Sequence, residues 1–313
     1  MSVERRARVR AFAKINLDLR VIGERADGFH ELRTIFQTVS LADRLDIAFT
    51  PGRKTAIELD DSAGIADNLV ARAARLVLDA ARITGRIAMR LDKRIPMGAG
   101  LGGGSSDAAA VLLALPVLAG RPLPLATLSA LGQQLGSDVP FFLLGGTAVG
   151  IGRGTELFPL PDAPALPGVI VAPGIHVSTA DAYRALSPRL TTESQENKIF
   201  SFQSHAWDVN NAAGFQNDFE PVVFEREPRL ASLKRKLAAA GAVPAMMSGS
   251  GSALFGLFRD RDGVKRALER FGDAELFPIS LVGRARYRTI WRRALAPHVE
   301  EGTIWPLRSR YKR

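Results

Sequence analysis

The sequence contains no cysteine, and its 313 residues include only four histidines, three tryptophans and three tyrosines. Without cysteine the chain can form neither disulfide bonds nor thiolate metal sites. No uninterrupted apolar run approaches the roughly 20 residues of a transmembrane helix, and charged residues interrupt the N-terminus before a signal-peptide core could form. We therefore expect a cytoplasmic protein with no membrane partner.

The overall composition is that of a globular protein. Hydrophobic residues make up 46% of the chain and charged residues 24%, which is typical of soluble domains. At roughly 150 residues per domain, the length predicts about two domains. We expect a monomer or a weak homodimer.

The formal net charge of +10 is concentrated at the two ends of the chain. Residues 1–10 contribute +3 and residues 284–313 contribute +7, so the stretch between them is formally neutral. A nucleic-acid-binding protein is expected to spread its positive charge over one face of a folded domain. The pattern therefore argues against a nucleic-acid-binding function. Such a function would predict salt-dependent binding that survives deletion of residues 287–313.

Periodicity predicts a mixture of strands and helices. The predicted strands span residues 8–21, 32–41, 45–49, 87–91, 141–151, 169–172, 253–258 and 277–282, with a bulge or turn at Gly145-Gly146. The predicted helices span residues 69–81, 106–118, 125–135, 230–240 and 263–271, with Asp67 as the candidate cap of the first. Residues 191–217 are polar and poor in aliphatic side chains, so an irregular or mobile segment is expected there.

The proline-rich stretch Pro159–Pro167 is the expected domain boundary. Residues 1–160 and 161–283 then form two α+β domains, followed by a basic tail over residues 284–313. The tail contains two tryptophans among its arginines. Two interpretations of it stay open: an additional amphipathic helix or a contact with an acidic partner.

A glycine-rich loop is the strongest local signal. Five glycines lie between Pro96 and Ser106, directly after a predicted strand and before a predicted helix. Glycine allows positive φ, and the N-terminus of the following helix adds free N–H donors. The segment therefore predicts a phosphate site, with the hydroxyls of Ser105 and Ser106 as further donors. Neither Lys-Ser nor Lys-Thr follows the last glycine, so the loop is not a Walker A motif and its charge compensation must come from elsewhere.

Two charged residues stand in apolar surroundings and are candidates for that compensation. Lys14 shares strand parity with Asn16, so both side chains emerge on one face, although a lone lysine there could also mark a solvated face. Asp138 lies between a predicted helix and an apolar strand, where it could be a cap or a partly buried carboxylate. If Asp138 meets Lys14, the pair suits phosphoryl transfer to a hydroxyl group.

Two further segments carry candidate binding residues. His30 follows Phe29 in a predicted turn, where the two could recognise a heterocycle by hydrogen bonding and stacking. Ser248–Ser252 alternates serine with glycine and precedes a strand. This segment could be a flexible linker or a second backbone-lined wall of the site.

The motif Pro-x-Gly-x-Gly-Leu-Gly-x-Gly-Ser-Ser at residues 96–106 resembles the phosphate loop of the GHMP kinases, the superfamily of galactokinase, homoserine kinase, mevalonate kinase and phosphomevalonate kinase. Residues 13–17, 25–37 and 136–141 are similar to the members that phosphorylate the 2-hydroxyl group of 4-diphosphocytidyl-2-C-methyl-D-erythritol in the non-mevalonate route to isoprenoid precursors. The similarity runs from about residue 9 to about residue 282, and Asp27–His30 is its specific part. The alternative is another member, such as homoserine kinase or the diphosphomevalonate decarboxylase.

The resemblance implies a fold and a set of roles. The fold is an ATP-binding domain with a left-handed βαβ unit, an exception to the usual handedness, and a ferredoxin-like α/β sandwich domain. The resemblance implies that Lys14 and Asp138 are catalytic. In this role Asp138 takes the hydroxyl proton, and Lys14 keeps Asp138 ionised. The resemblance implies that the adenine of ATP lies near Asn68. The phosphates of ATP are implied to bind the loop residues Pro96, Met97, Gly98, Ala99, Gly100, Leu101, Gly102, Gly103, Gly104, Ser105 and Ser106. The implied substrate contacts are Asn16, Phe29, His30, Thr179 and Tyr183.

The sequence departs from the family pattern in three places. Phe29 stands where tyrosine is usual, Ser137 replaces a common alanine, and Ser250 replaces a common threonine in the third superfamily motif, residues 248–252. Phe29 keeps the ring and loses the hydroxyl group, so stacking should survive, and neither serine removes a required group. Mg²⁺ is expected with ATP, although the sequence shows no dedicated acidic cluster for it.

Overall fold

The computed structural model describes residues 3–190, 198–199, 202–203, 214–271 and 274–311. A first sheet is built from β1 to β6, and long strand β2 lies at its centre, paired with β1, β4 and β5. Its strands are β1 (Arg5–Glu24), β2 (His30–Pro51), β3 (Ala56–Asp61), β4 (Gly85–Asp92), β5 (Thr147–Gly152) and β6 (Glu156–Pro159).

Helices pack on one side of this sheet. They are α1 (Leu69–Ala81), α2 (Gly103–Ala119), α3 (Leu125–Leu135) and α4 (Val139–Leu144). From Ser106 onward every residue of α2 is buried, as expected of an alanine- and leucine-rich helix in the middle of a core. Strands β3 and β4 are parallel and are connected through α1.

A second sheet has the order β10-β7-β9-β8 and is antiparallel throughout. Its strands are β7 (Pro167–Ala172), β8 (Ala245–Met247), β9 (Leu254–Leu257) and β10 (Glu275–Ser280), and its helices are α5 (Thr179–Leu186), α6 (Glu220–Arg226), α7 (Pro228–Ala239) and α8 (Arg261–Leu268). An apolar cluster containing Ile15 and Leu17 of β1 with Ile170 and Phe255 lies where the two sheets meet. Both faces of β1 are therefore buried over residues 11–22.

The tail forms helix α9 (Arg284–Leu295), and short 3₁₀ helices span Ser187–Arg189 and Ala296–His298. Tyr287, Trp291 and Leu295 recur at a spacing of four and belong to the core of the first sheet. Of the two interpretations left open by the sequence, the structure shows the packed amphipathic helix. No helix among the described residues is long and apolar enough to cross a membrane.

One sequence prediction was wrong. Residues 141–151 are not one strand, because α4 occupies Val139–Leu144 and β5 begins only at Thr147. Pro140 sits in the first turn of α4, where its fixed φ favours a helix, and Gly145 with φ +65° ends it. The aromatic and β-branched residues of this stretch suit a strand equally well, which is why the pattern misled.

Smaller differences concern helix and strand starts. Asn68 rather than Asp67 caps α1, since its side chain accepts the N–H of Val70. Helix α2 begins at Gly103, three residues before the predicted start and within the glycine-rich loop. Predicted strands 32–41 and 45–49 are one continuous strand, β2. Most of residues 191–217 lies outside the described residues.

Candidate active site

The glycine-rich loop has the backbone that its composition predicts. Gly98, Gly100 and Gly102 adopt φ values of +65°, +77° and +71°, which other residues rarely adopt. There is also no room for a side chain at Gly100, because a β-carbon there would lie 2.1 Å from the carbonyl oxygen of Ser248. The loop leads into α2, so the free N–H groups of its first turn lie at the loop.

The Ser248–Ser252 segment is not a linker but a second wall against this loop. Ser248 Oγ donates to Gly100 O at 2.9 Å, and Ala253 N donates to Ala99 O at 3.2 Å. Asn217, which sequence reasoning missed, donates through Nδ2 to Gly249 O at 2.8 Å and is buried. The wall therefore has a fixed backbone rather than a flexible one.

Lys14 and Asp138 meet beside the loop. Lys14 Nζ lies 3.3 Å from Asp138 Oδ2 and donates to Asn16 Oδ1 at 2.8 Å. Asn16 is held in turn, because its Nδ2 donates to Thr34 Oγ1 at 2.8 Å. The Lys14 backbone N–H donates to Leu101 O at 3.0 Å, which ties β1 to the loop.

Burial and geometry decide between the alternatives for these residues. Lys14 is only 4% exposed, so it does not lie on a solvated strand face. Asp138 occupies the N-cap position of α4 but makes no capping hydrogen bond, so its carboxylate is available to a ligand as well as to Lys14. The β1–β2 register shifts between Phe12 and Lys14, and such a bulge re-aims the side chains next to it.

A buried ion-pair triad, missed by sequence reasoning, lies beneath the start of α2. Lys93 Nζ donates to Asp107 Oδ2 at 2.7 Å and to Asp43 Oδ2, and each of the three side chains is at most 7% exposed. Asp43 Oδ1 accepts the N–H of Ile95 at 2.8 Å. The triad thus ties β2 and α2 to the chain that enters the loop.

The triad places opposing charges in a desolvated environment. Burial, together with the charge of Asp43, raises the pKa of Asp107 to about 7. Burial opposes the charge of Lys93, but the two carboxylates outweigh it and raise the pKa of the lysine. A β-carbon on Gly103 would lie 3.2 Å from Lys93 Nζ, so these charges lie directly under the first residue of α2.

His30 and Tyr183 form an aromatic pair near the catalytic candidates. Their rings stack with centroids 4.5 Å apart, and His30 Nε2 is hydrogen-bonded to Ser187 Oγ at 2.9 Å. Phe219 supports Tyr183 edge-on at 4.8 Å. Burial, with a smaller contribution from the charge of Asp138, raises the pKa of the Tyr183 hydroxyl.

Phe29 is held differently, in the exposed turn before His30. Its side chain is 50% exposed, and the guanidinium of Arg153 lies 3.7 Å from its ring centroid. Arg153 also donates to Asp27 Oδ2 at 2.8 Å, and this hydrogen bond is the main reason why the pKa of Asp27 falls to about 2. The turn is therefore organised by an arginine that sequence reasoning did not single out.

The remaining site residues lie around the same centre. Thr179 Oγ1 is hydrogen-bonded to Ser250 Oγ at 2.8 Å, which joins the first residue of α5 to the second wall. Asn68 lines a cavity of about 500 Å³, and the side chain of the next residue, Leu69, would lie 3.8 Å from a β-carbon on Gly104. The arrangement combines a backbone anion site, a buried lysine paired with a partly exposed carboxylate, and a ring pocket, which suits phosphoryl transfer from a nucleotide to a hydroxyl group.

Comparisons with known proteins agree with this geometry. The family model described as GHMP kinases N terminal domain matches residues 68–146, and that described as GHMP kinases C terminal matches residues 205–275. A 4-diphosphocytidyl-2-C-methyl-D-erythritol kinase from Solibacter usitatus is 69% identical over 315 residues, covering 99% of each chain. The kinase of the same name from Pelotomaculum thermopropionicum is 42% identical over 83% of this chain and 92% of its own.

Solved structures give the same relationship. A crystal structure of 4-(cytidine 5'-diphospho)-2C-methyl-D-erythritol kinase matches with a TM-score of 0.73 and 39% identity, covering 90% of this chain and 100% of that one. A homoserine kinase from Cytophaga hutchinsonii matches with a TM-score of 0.71 over 91% of this chain and 97% of its own. Its identity is 19%, so that likeness shows the fold alone.

Proposed function

This chain belongs to the GHMP kinases, in the family of 4-diphosphocytidyl-2-C-methyl-D-erythritol kinases, and on that premise we propose that it transfers the γ-phosphoryl group of ATP to the 2-hydroxyl group of that substrate. The products are the 2-phosphate and ADP. The observation that carries the assignment of residues is the Lys14–Asp138 ion pair beside the phosphate loop, in which the buried Lys14 lies 3.3 Å from a partly exposed carboxylate.

In the proposed mechanism Asp138 accepts the proton of the 2-hydroxyl group while the oxygen of that hydroxyl group attacks the γ-phosphorus. The new O–P bond forms as the bond between the γ-phosphorus and the leaving oxygen of ADP breaks. Lys14 lies against Asp138 and offers its charge to the negative charge that develops on the transferring group. Asn16 fixes the direction of the ammonium group, because it accepts the Lys14 hydrogen bond at 2.8 Å.

The phosphates of ATP are assigned to the loop Pro96–Ser106 and the first turn of α2. Mg²⁺ accompanies ATP in this proposal and would neutralise phosphate charge when bound. Among the described residues no group of three His, Cys, Asp or Glu side chains could hold a metal ion. Phosphate and water oxygens, with the hydroxyls of Ser105 and Ser106 at the loop, are therefore the ligands that fit.

The cytosine ring of the substrate is assigned to the pocket of His30 and Tyr183, with Phe29 and Thr179 at its edges. The stacked His30–Tyr183 pair supports this assignment, because aromatic faces and a ring nitrogen suit a planar pyrimidine. Homoserine has no ring for these side chains to contact, so the pocket favours the cytidyl substrate over the alternative acceptor.

The proposal extends to organisation and location. Pro159 ends β6 and Pro167 begins β7, which supports a division into residues 1–160, 161–283 and the tail. A chain without cysteine gains nothing from an oxidising compartment, so the cytoplasm is the proposed location. A monomer or weak homodimer stays a prediction.

A coupled ADP-release assay tests the substrate assignment. The acceptors are 4-diphosphocytidyl-2-C-methyl-D-erythritol, homoserine and mevalonate, each supplied with Mg-ATP. We expect turnover with the first acceptor alone. Turnover with homoserine or mevalonate in place of the cytidyl substrate would overturn the proposal.

A further inference from the structure

The tail contacts the carbonyl end of α4, the short helix that begins after Asp138. Tyr287 Oη donates to Phe142 O at 2.5 Å, and Trp305 Nε1 donates to Leu143 O at 2.8 Å. These donors come from two separate parts of the tail, α9 and the segment that follows it. Both acceptors lie in the last turn of α4.

Helix α4 needs such donors. The last four carbonyl groups of a helix have no partner within it, and a helix of six residues has little stability of its own. The N–H of Gly145 satisfies Phe141 O at 3.0 Å. Tyr287 and Trp305 then satisfy the next two carbonyl groups, so the tail supplies the rest of a C-terminal cap.

The contact is close and well anchored. A β-carbon on Gly145 would lie 2.4 Å from the Tyr287 ring, so glycine at this position makes room for the tail. Tyr287 is 2% exposed and belongs to an aromatic cluster with Trp291 and Trp305, whose ring centroids lie 6.2 to 6.5 Å apart. Elsewhere the tail is fixed by Ser309 Oγ, which donates to Val117 O in α2 at 2.7 Å.

The same helix touches the active site at its other end. Asp138 stands at its N-cap position and pairs with Lys14. The Phe142 ring lies against the phosphate loop, since a β-carbon on Gly102 would be 2.9 Å from it. A shift of α4 therefore moves the carboxylate relative to Lys14 and moves the support of the loop.

We propose that Tyr287 and Trp305 are positioning residues, which cap the carbonyl end of α4 and so hold Asp138 in its reactive place. The proposal rests on the catalytic role proposed above for Asp138. It gives the basic tail a task in the reaction through the aromatic side chains that lie between its arginines.

The test compares variants that keep an aromatic ring at each position and remove the hydrogen-bond donor. Tyr287→Phe and Trp305→Phe, singly and together, are measured below their unfolding temperatures for kcat, for both KM values and for hydrogen exchange of the α4 amides. Ser309→Ala is the matched control, because it removes a tail hydrogen bond to α2 instead of α4. Asp138→Ala is measured in parallel to test the underlying catalytic role.

We expect the double variant to lose about tenfold in kcat, since small misplacements of a catalytic group are costly, with both KM values within about twofold of wild type. Exchange of the α4 amides should rise in the double variant and stay unchanged in Ser309→Ala, whose kcat should also be unchanged. A double variant with wild-type kcat, or an equal loss in Ser309→Ala, would overturn the proposal. If the double variant fails to fold, Tyr287→Phe alone decides in the same way. Retained turnover in Asp138→Ala would instead refute the catalytic assignment itself.

Discussion

The phosphoryl-transfer centre and the proposed base pocket are built in opposite ways. At the centre, Lys14 and Asn16 are at most 4% exposed, Lys14 donates to Asn16, and Asn16 donates to Thr34. In the pocket, Phe29 is half exposed and its turn is held by ion pairs at the surface. Surface ion pairs contribute little to stability, so the pocket is the more adjustable of the two regions.

We expect the difference between the two regions to separate phosphoryl transfer, carried out at the centre, from selection of the acceptor, carried out in the pocket. A homoserine kinase at 19% identity shares the fold, so the fold by itself does not decide the acceptor. We expect the rim residues to decide the acceptor. The predictions below test this separation by changing one region and measuring both.

The largest effect is expected from Asp138→Ala. Without the carboxylate no group at this position can take the hydroxyl proton, so kcat should fall by about a thousandfold or more. Dissociation constants for ATP and for the cytidyl substrate, measured by calorimetry, should stay within about threefold. Turnover within tenfold of wild type would remove Asp138 from the mechanism.

Gly100→Ala should damage the centre through its backbone. The added β-carbon would lie 2.1 Å from Ser248 O at a φ of +77°, so the loop must move away from the second wall. We expect KM for ATP to rise by about tenfold or more, because phosphate contacts depend on this backbone. Gly174→Ala is the control, since it has a φ of +70° and open space around the β-carbon. Similar ATP binding in Gly100→Ala and wild type would contradict the fixed-loop account.

His30→Ala should affect the pocket alone. Losing the ring and its hydrogen-bonding nitrogen should raise KM for the cytidyl substrate by about tenfold while KM for ATP changes by less than about twofold. Ser187→Ala, which removes only the hydrogen-bond partner of His30, should have a smaller effect of the same kind. Equal losses for both ligands in steady-state kinetics would show that the two regions are not separate.

The last prediction concerns stability rather than turnover, because the charges of the triad beneath α2 enter the pH dependence of the free energy of unfolding. The pKa of Asp107 is about 7 in the folded protein and about 4 in the unfolded chain. The folded state therefore binds more protons in this range, and the free energy of unfolding should fall as pH rises from about 4 to about 7. Asp107→Asn should flatten this slope in denaturant titrations at several pH values. An unchanged slope would mean that Asp107 titrates elsewhere.

Much of the centre was predictable because its signals are local. Strand parity predicted that Lys14 and Asn16 lie on one face. The glycines of the loop predicted a backbone with positive φ, which other residues rarely adopt. The residues alone left the meeting of Lys14 with Asp138 as a condition, and the resemblance to the GHMP kinases implied that the two act together; their side chains lie 3.3 Å apart. Their functional roles stay predictions.

What escaped prediction depends on contacts between distant parts of the chain. Asp43, Lys93 and Asp107 come from three elements, and nothing in the local pattern joins them. Residues 141–144 of helix α4 were predicted as part of a strand because an apolar run satisfies either periodicity. The helical state of α4 depends on the proline at its start and the caps at its end. Two of those caps come from Tyr287 and Trp305 in the tail, and no sequence pattern joins these residues to α4.

The most direct test of the whole account is the position of the new phosphate. In 2-C-methyl-D-erythritol, carbon 2 carries the methyl group and no hydrogen, so a phosphate at its oxygen has no proton three bonds away. We predict that ³¹P NMR of the product shows an intact diphosphate and one new phosphomonoester resonance without proton splitting. A new resonance split into a doublet or a triplet would place the phosphate on another hydroxyl group and contradict the account.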